Sequence, residues 1–261
     1  MYSNLQSSSF HLESQYDVII VGTGAGGGTL AYALADTGKR ILLLDRGDSI
    51  PREKANWDAK AIYIDGRYRT AEQWLNAEGD RFQPSLYHRV GGNTKVYGGA
   101  LFRMRSQDFD ALHFPEGISP AWELSYDDFE PYYTRAERLY KVHGLRGDDP
   151  TEPPAGEPLP YPPLPHEPRI QQVAEQLQQQ GLQPFYLPMS IDRDTANPQQ
   201  SPCIRCDTCD GYPCLTNGKA DAETCCVLPA LKHPNVTLRT GVEVQQILTD
   251  QTGRKVRAIA A

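Results

Sequence analysis

Asp17-Val18-Ile19-Ile20-Val21-Gly22-Thr23-Gly24-Ala25-Gly26-Gly27-Gly28 carries most of the architectural information in this chain. Its first five residues are a short β-branched apolar run, the pattern of a strand covered on both faces. Gly22, Gly24 and Gly27 then fall in G-x-G-x-x-G spacing. The first glycine permits a tight turn, the second lets backbone approach a pyrophosphate, and the third lets a helix settle on the sheet. Thr29 to Asp36 reads as that helix, with Leu30 and Leu34 on one face and Gly38 placed to end it. Arg40 to Leu44 reads as a second strand, parallel to the first through a right-handed crossover. Asp45 closes it 23 residues after Gly22, where a carboxylate can accept hydrogen bonds from an adenosine ribose. Strand, glycine turn, helix, strand and acid in this order predict an α/β fold of Rossmann-like type with a dinucleotide site. The motif alone does not distinguish FAD from NAD.

The remaining composition is compatible with that reading. With 261 residues, 39% apolar, the chain has material for a buried core and is not wholly disordered. No stretch approaches the roughly 18 to 20 consecutive apolar residues of a membrane helix. A net charge of -7 without any long Lys/Arg run argues against nucleic acid or an anionic membrane as the main partner. Residues 1–15 are Ser/Gln-rich and lack the basic and apolar segments of a secretory signal, so a disordered leader and a cytoplasmic location are expected. All six cysteines lie between Cys203 and Cys226, in what would be a reducing compartment where structural disulfides are uncommon.

Nine of the 22 glycines fall in two segments, 22–28 and 91–99, which makes the second a candidate functional loop. Between them, 51–84 reads as polar excursions with short helices. Ser125 and Asp128 form a helix start signal before Phe129, Tyr132, Tyr133, Ala136, Leu139 and Tyr140, an amphipathic pattern whose aromatics, with Trp122, are expected in the core. Nine prolines between Pro150 and Pro168 predict an extended connector. Arg169–Gln180 reads as a helix with Ile170, Val173, Ala174 and Leu177 on its buried side. Strands are expected at 236–239, 242–248 and 255–260, with a turn at 250–253. Asp148 and Asp149 read as a solvated face. None of the six histidines stands in an acid/base context, although His88 abuts the second glycine loop.

Several segments together resemble one family. Arg89-Val90-Gly91-Gly92-Asn93-Thr94 through Gly98-Gly99 and Arg103, then Asp108-Phe109-Asp110, Trp122, Tyr126 to Tyr133 and Thr240 to Val244 are similar, in order, to the glucose-methanol-choline (GMC) oxidoreductases. The resemblance implies FAD as cofactor and a truncated GMC-type FAD-binding fold with part of a second, substrate-domain region. It implies a leader at 1–15, the first part of the FAD-binding domain at 16–110, a helical, Pro- and Cys-rich cap or substrate region at 111–234, and return strands at 235–261. The implied cofactor residues are Gly22, Gly24, Gly27, Asp45, Arg46, Arg89, Gly91, Gly92, Asn93, Thr94, Gly98 and Val244. Arg89 would supply charge near the phosphates, Asn93 and Thr94 would hydrogen-bond the cofactor, and Val244 would meet adenine through its main chain. Tyr97 stands where many members have Asn, so the polar contact to the flavin at that position is not carried over by the resemblance.

The implied activity is oxidation of an alcohol or sugar CH–OH group to a carbonyl, with hydride passing to flavin N5 and an electron acceptor that the sequence does not identify. The family's catalytic His matches nothing here, so no catalytic residue is expected in this chain, which reads as an N-terminal part needing a C-terminal part on the same or another chain. Cys203-x2-Cys206-x2-Cys209-x4-Cys214 is close to metal-ligand spacing. Some membrane-associated bacterial members of the family carry an iron–sulfur cluster in this region. The cysteines remain open to three readings: a metal or cluster, structural or partly disulfide-bonded residues, or a redox-active thiol. The alternative function is a nucleotide-binding or electron-transfer subunit complete at 261 residues, using that cluster with a partner.

Overall fold

The computed structural model describes residues 15–261; the expected leader thus lies, save for Gln15, outside the described residues. Strand β1 (Val18–Val21) pairs in parallel with β2 (Ile41–Leu44), in the register Val18 to Ile41. On its other side β2 pairs in parallel with the strand Val236–Arg239, so residues far apart in the chain share one three-stranded sheet with β2 at its centre. All four β2 residues are buried. Ile20, Ile41, Leu43 and Val236 meet Ala31, Ala35 and Ala230 in a core on one side of this sheet. Each fully buried large apolar side chain contributes about 1.5–3 kcal/mol.

Helix α1 (Ala25–Leu34) begins at Ala25 rather than at Thr29 and runs into a short 3-10 turn that Gly38 ends with φ +71°. Gly26, Gly27 and Gly28, expected as loop, are therefore helical, while Gly22 and Gly24 precede the helix. A Cβ on Gly27 would overlap the carbonyl oxygen of Gly22, and one on Gly28 would stand 3.2 Å from that of Thr23. Close packing explains why poor helix formers occupy positions 27 and 28 of this first turn.

β1 departs from the expectation of burial on both faces. Ile20 is buried, but Ile19 is 36% and Val21 52% exposed, because α1 covers one face and no described element covers the other. The strand expected at 242–248 is also displaced. After Gly241 (φ +68°), Val242 donates its N–H to the carbonyl of Asp45, so the chain crosses the end of β2 instead of extending beside a neighbour. Gln246–Thr249 then forms an antiparallel hairpin with Val256–Ala260 around a turn in which Asp250 accepts from Thr252. Within 51–84 the structure adds the hairpin Trp74–Leu75 with Arg81–Phe82 to the two short helical turns.

Helix α2 (Tyr126–Leu139) carries the expected capping box of Ser125 and Asp128. Its buried side, however, is polar: Tyr126, Thr134 and Glu137 surround the Arg103 guanidinium. Arg103 bonds both Glu137 carboxylate oxygens at 2.7 Å, Tyr126 Oη and Thr134 Oγ1 at 2.9 Å, and Glu130 at 3.1 Å. The expected aromatic core is met in part: Tyr126 and Tyr140 are buried and Phe129 and Tyr133 half-buried, but Trp122 and Tyr132 are exposed. Helix α3 (Pro168–Gln179) starts on a proline at N1 and buries only Ala174, leaving Ile170 and Val173 exposed. Asp149 is buried rather than solvated: it accepts from Thr151 and pairs with Arg105, while Asp148 accepts from the Tyr186 N–H.

Candidate functional site

Two glycine loops meet at the carboxyl ends of β1 and β2, the end at which parallel sheets receive ligands. A cavity of about 290 Å³ opens there, walled by Gly22, Asp45, Arg46, Arg89 and Val244 among the residues expected from sequence. His88 and Val242 also line it. A volume near 300 Å³ is at the small end for ligand pockets and suits one end of a dinucleotide.

Backbone contact between the loops depends on glycine. Gly91 and Gly92 take φ values of +90° and +56°, and a Cβ on Gly92 would lie 3.0 Å from the Gly24 Cα. A buried hydrogen-bond chain fixes this approach. Gly91 donates its N–H to Thr23 Oγ1 at 3.1 Å, and Thr23 donates both its hydroxyl (2.5 Å) and its N–H (3.0 Å) to Asp45 Oδ2. Gly47 donates its N–H to the other Asp45 oxygen at 3.0 Å. Asp45 therefore stands at the cavity wall as expected and also ties β2 to both glycine turns.

The first turn of α1 offers a second feature. Gly24 is its N-cap without a side-chain cap, and no acidic residue lies in the first turn. Such an uncapped terminus leaves N–H groups and the positive end of the helix dipole without internal competition, an arrangement suited to an anion. At the cavity wall the Arg89 guanidinium lies over the Tyr68 ring at 5.1 Å, with its buried Nε lacking a protein acceptor. Arg46 is held by Glu72 at 2.7 Å and by His88 Nε2 at 2.6 Å; the guanidinium only donates, so this His88 nitrogen accepts.

The other expected residues turn inward. Asn93 accepts from the Tyr87 N–H and donates to the Ser85 carbonyl, while Thr94 donates its hydroxyl to Gly91 O and accepts from the Ala222 N–H. Gly98 packs against Asp210 and accepts from Cys209 Sγ, away from the cavity wall. Tyr97 donates its hydroxyl to the Ala220 carbonyl at 2.6 Å, so it braces the loop from behind. Burial pushes its phenol well above the ordinary value.

Sequence reasoning missed the charged group beneath this loop. Lys95 Nζ donates to Asp221 at 2.9 Å and Glu223 at 2.6 Å, and Glu223 accepts from the Ser49 hydroxyl at 2.8 Å. All three charged side chains are buried. Burial works against the Lys95 ammonium, and the two carboxylates more than offset it, holding its pKa above the ordinary value. No local pattern in the sequence signals it, since Lys95 and its two partners lie more than a hundred residues apart.

The cysteine loop lies against the far side of the same glycine loop. Lys219 Nζ is buried and donates to the carbonyls of Cys209 (2.6 Å), Tyr212 (2.8 Å) and Lys95 (3.3 Å). Burial lowers its pKa. Cys203, Cys206, Cys209 and Cys214 all line one cavity of about 310 Å³. Among the described residues no three His, Cys, Asp or Glu side chains converge as ligands of a metal ion. Of the described histidines, only His88 lines the first cavity. No helix among the described residues is long and apolar enough to cross a membrane.

Comparison with known proteins agrees with this geometry. Residues 20–51 match the model of an NAD(P)-binding Rossmann-like domain. The chain is 30% identical over 246 residues to 6'''-hydroxyparomomycin C oxidase of Streptomyces lividus, covering 91% of this chain and 43% of that protein. It is likewise 30% identical over 240 residues to paromamine 6'-oxidase of Streptomyces fradiae, covering 90% and 42%. Among solved structures, pyridoxine 4-oxidase from Mesorbium loti superposes with a TM-score of 0.57 at 20% identity, over 94% of this chain and 45% of that one, a likeness of fold. The chain thus spans less than half the length of these relatives.

Proposed function

From its membership of the GMC family of FAD-dependent oxidoreductases, of whose larger members it covers the Rossmann-like N-terminal region, we propose that this chain holds FAD for the oxidation of a CH–OH donor. The observation that carries the reading is the cavity at the β1–β2 ends, where two glycine loops touch beside an uncapped helix N-terminus and a buried, unpaired Arg89 Nε. Those groups fit a dinucleotide: N–H donors and a cation for phosphates, a carboxylate for a ribose, and bare backbone where the chain must pass close.

When bound, FAD supplies a hydride acceptor for the carbon-bound hydrogen of an alcohol. The chain's own residues bind and orient. The α1 N-terminus and Arg89 take the pyrophosphate charge, Asp45 accepts at the ribose through its remaining lone pairs, and the Val242–Val244 backbone closes over the adenine end. Gly91 and Gly92, pinned by Thr23, keep the second loop thin where it passes the cofactor. Asn93, Thr94 and Gly98 act through the shape of that loop, since their polar groups are engaged within the protein. No residue here is assigned as the base that takes the hydroxyl proton. The names of the two Streptomyces relatives support an alcohol or sugar donor. The electron acceptor is not assigned.

Titration of the flavin-free chain with FAD, followed by quenching of flavin fluorescence, tests the reading. Saturable binding that NAD does not displace is expected. Binding of NAD with no affinity for FAD would overturn it.

A further inference from the structure

Glu223 does not line the dinucleotide cavity, yet its carboxylate bonds to both loops that wall it. One oxygen accepts from the Ser49 hydroxyl at 2.8 Å, in the loop that leaves β2 after Asp45 and Arg46. The other accepts from Lys95 Nζ at 2.6 Å, in the second glycine loop, which follows Arg89. The side chain is buried, and it opens the helical turn Glu223–Val227, which packs on α1. The four residues before it hold the same glycine loop from beneath. Lys219 Nζ donates to the Lys95 carbonyl at 3.3 Å, and the Ala220 carbonyl accepts from the Tyr97 hydroxyl at 2.6 Å. Asp221 accepts from Lys95 at 2.9 Å, and the Ala222 N–H donates to Thr94 Oγ1 at 2.9 Å.

The two loops also meet by backbone. A Cβ on Gly47 would overlap the His88 carbonyl, and Val90 donates its N–H to the Asp48 carbonyl at 3.3 Å. Gly91, the next residue, rests on Glu223: a Cβ there would lie 2.7 Å from Lys95 Cδ, 3.1 Å from Glu223 Cβ and 3.2 Å from Glu223 N. At φ +90° that turn suits glycine and few other residues, and its N–H is taken by Thr23. Charge balance does not account for Glu223. Asp221 already supplies the Lys95 ammonium with a counter-ion, and a second buried carboxylate carries a desolvation cost. What Glu223 adds is the span to Ser49.

We propose that Glu223 is a positioning residue of the dinucleotide site: from outside the cavity it fixes the loop after β2 against the second glycine loop, a role that rests on the reading of this cavity as an FAD site. Glu223 acts through Gly91, Lys95 and Ser49 rather than on the nucleotide. Ordering a loop on binding draws on the binding free energy, and a loop that is already ordered leaves that free energy for affinity. Without the bridge, only the fraction of molecules with both loops in place is ready to bind, and the apparent affinity falls by that fraction.

Two measurements on the full chain, Glu223→Ala and Glu223→Gln test this role. On the flavin-free protein, hydrogen exchange read by mass spectrometry should be faster at residues 45–49 and 87–95 in Glu223→Ala, with β1 and β2 as protected as in the wild-type chain. Titration with FAD should show that variant binding at least about tenfold more weakly. Glu223→Gln keeps the length and can still accept from Lys95 while donating to Ser49, so it should recover most of that loss. If Glu223→Ala does not fold, Ser49→Ala, at an exposed residue, takes its place in both measurements, with an expected loss of about threefold. Unchanged FAD affinity in the folded variant, unchanged loop exchange, or exchange raised as much in β1 and β2 as in the loops would overturn the proposal, the last by making Glu223 a residue of general stability. A glutamine variant as weak as the alanine one would overturn it too, by showing that charge and not the bridge matters. A wild-type chain that binds no FAD refutes the reading of the cavity, and the proposal with it; in every other failure the wild-type chain binds.

Discussion

Replacing Lys95 by methionine keeps most of the unbranched side chain and removes the cation from between two buried carboxylates. Lys95 is 5% exposed, and its partners Asp221 and Glu223 are 1% and 7% exposed, so solvent can replace little of what is lost. Breaking a buried pair by deleting one partner costs about 3–5 kcal/mol, because the other charge stays behind in a poor dielectric. Against a total stability of roughly 5–15 kcal/mol for a domain, that is a large fraction. Urea unfolding of the wild-type chain and Lys95→Met, followed by far-UV circular dichroism, should show a much lower midpoint with a similar slope. A deficit under about 1 kcal/mol would refute the reasoning and place the cluster with ordinary surface ion pairs.

Three further outcomes follow from the geometry. Gly27→Ala introduces a Cβ into the Gly22 carbonyl, so a loss of about 1–3 kcal/mol in urea unfolding is expected, with FAD affinity reduced at least about tenfold in the fluorescence titration. Arg89→Gln removes the cavity's unpaired cation; the loss of one charged hydrogen bond, about 1.5–3 kcal/mol, predicts FAD binding weaker by about 10- to 150-fold with little change in Tm. Burial holds the His143 imidazole below its ordinary 6.5, so on acidification the unfolded chain binds the proton first. Its stabilising contribution is full above pH 6.5 and is lost below it at up to about 1.4 kcal/mol per pH unit, a slope that His143→Gln should reduce in thermal melts between pH 7.5 and 5.5.

Where sequence and structure agree, local chemistry carries the information. The run at Val18–Val21, the glycine spacing, the position of Asp45 and the capping box of Ser125 with Asp128 each involve residues close in the chain. Where they differ, a distant partner decides. Gly27 and Gly28 look like a loop until the end of β1 and Ala222 are known to press on the helix from outside. The Tyr/Phe pattern of α2 suggests an aromatic core, and Tyr126 and Tyr140 are buried, but Arg103, more than twenty residues upstream of that helix, also gathers Thr134 and Glu137 on its buried side. Asp149 looks solvated until Arg105 is placed beside it. In the candidate site, Asp45 and Arg89 were legible because a motif names their type and position. Lys95 with Asp221 and Glu223 was not, because no local pattern reveals a contact between segments over a hundred residues apart.

The Asp45 carboxylate has a practical consequence for anyone who would redirect cofactor preference in such a chain. Exchanging the acid at the end of β2 is the natural first step, on the view that it meets only the ribose. Here the same carboxylate anchors Thr23, and through Thr23 the Gly91 N–H. A substitution at Asp45 thus edits two properties at once: which nucleotide is welcomed, and whether the second loop is held in place to receive it. Selectivity and preorganisation share one side chain, and a redesign that separates them must first give Thr23 another acceptor.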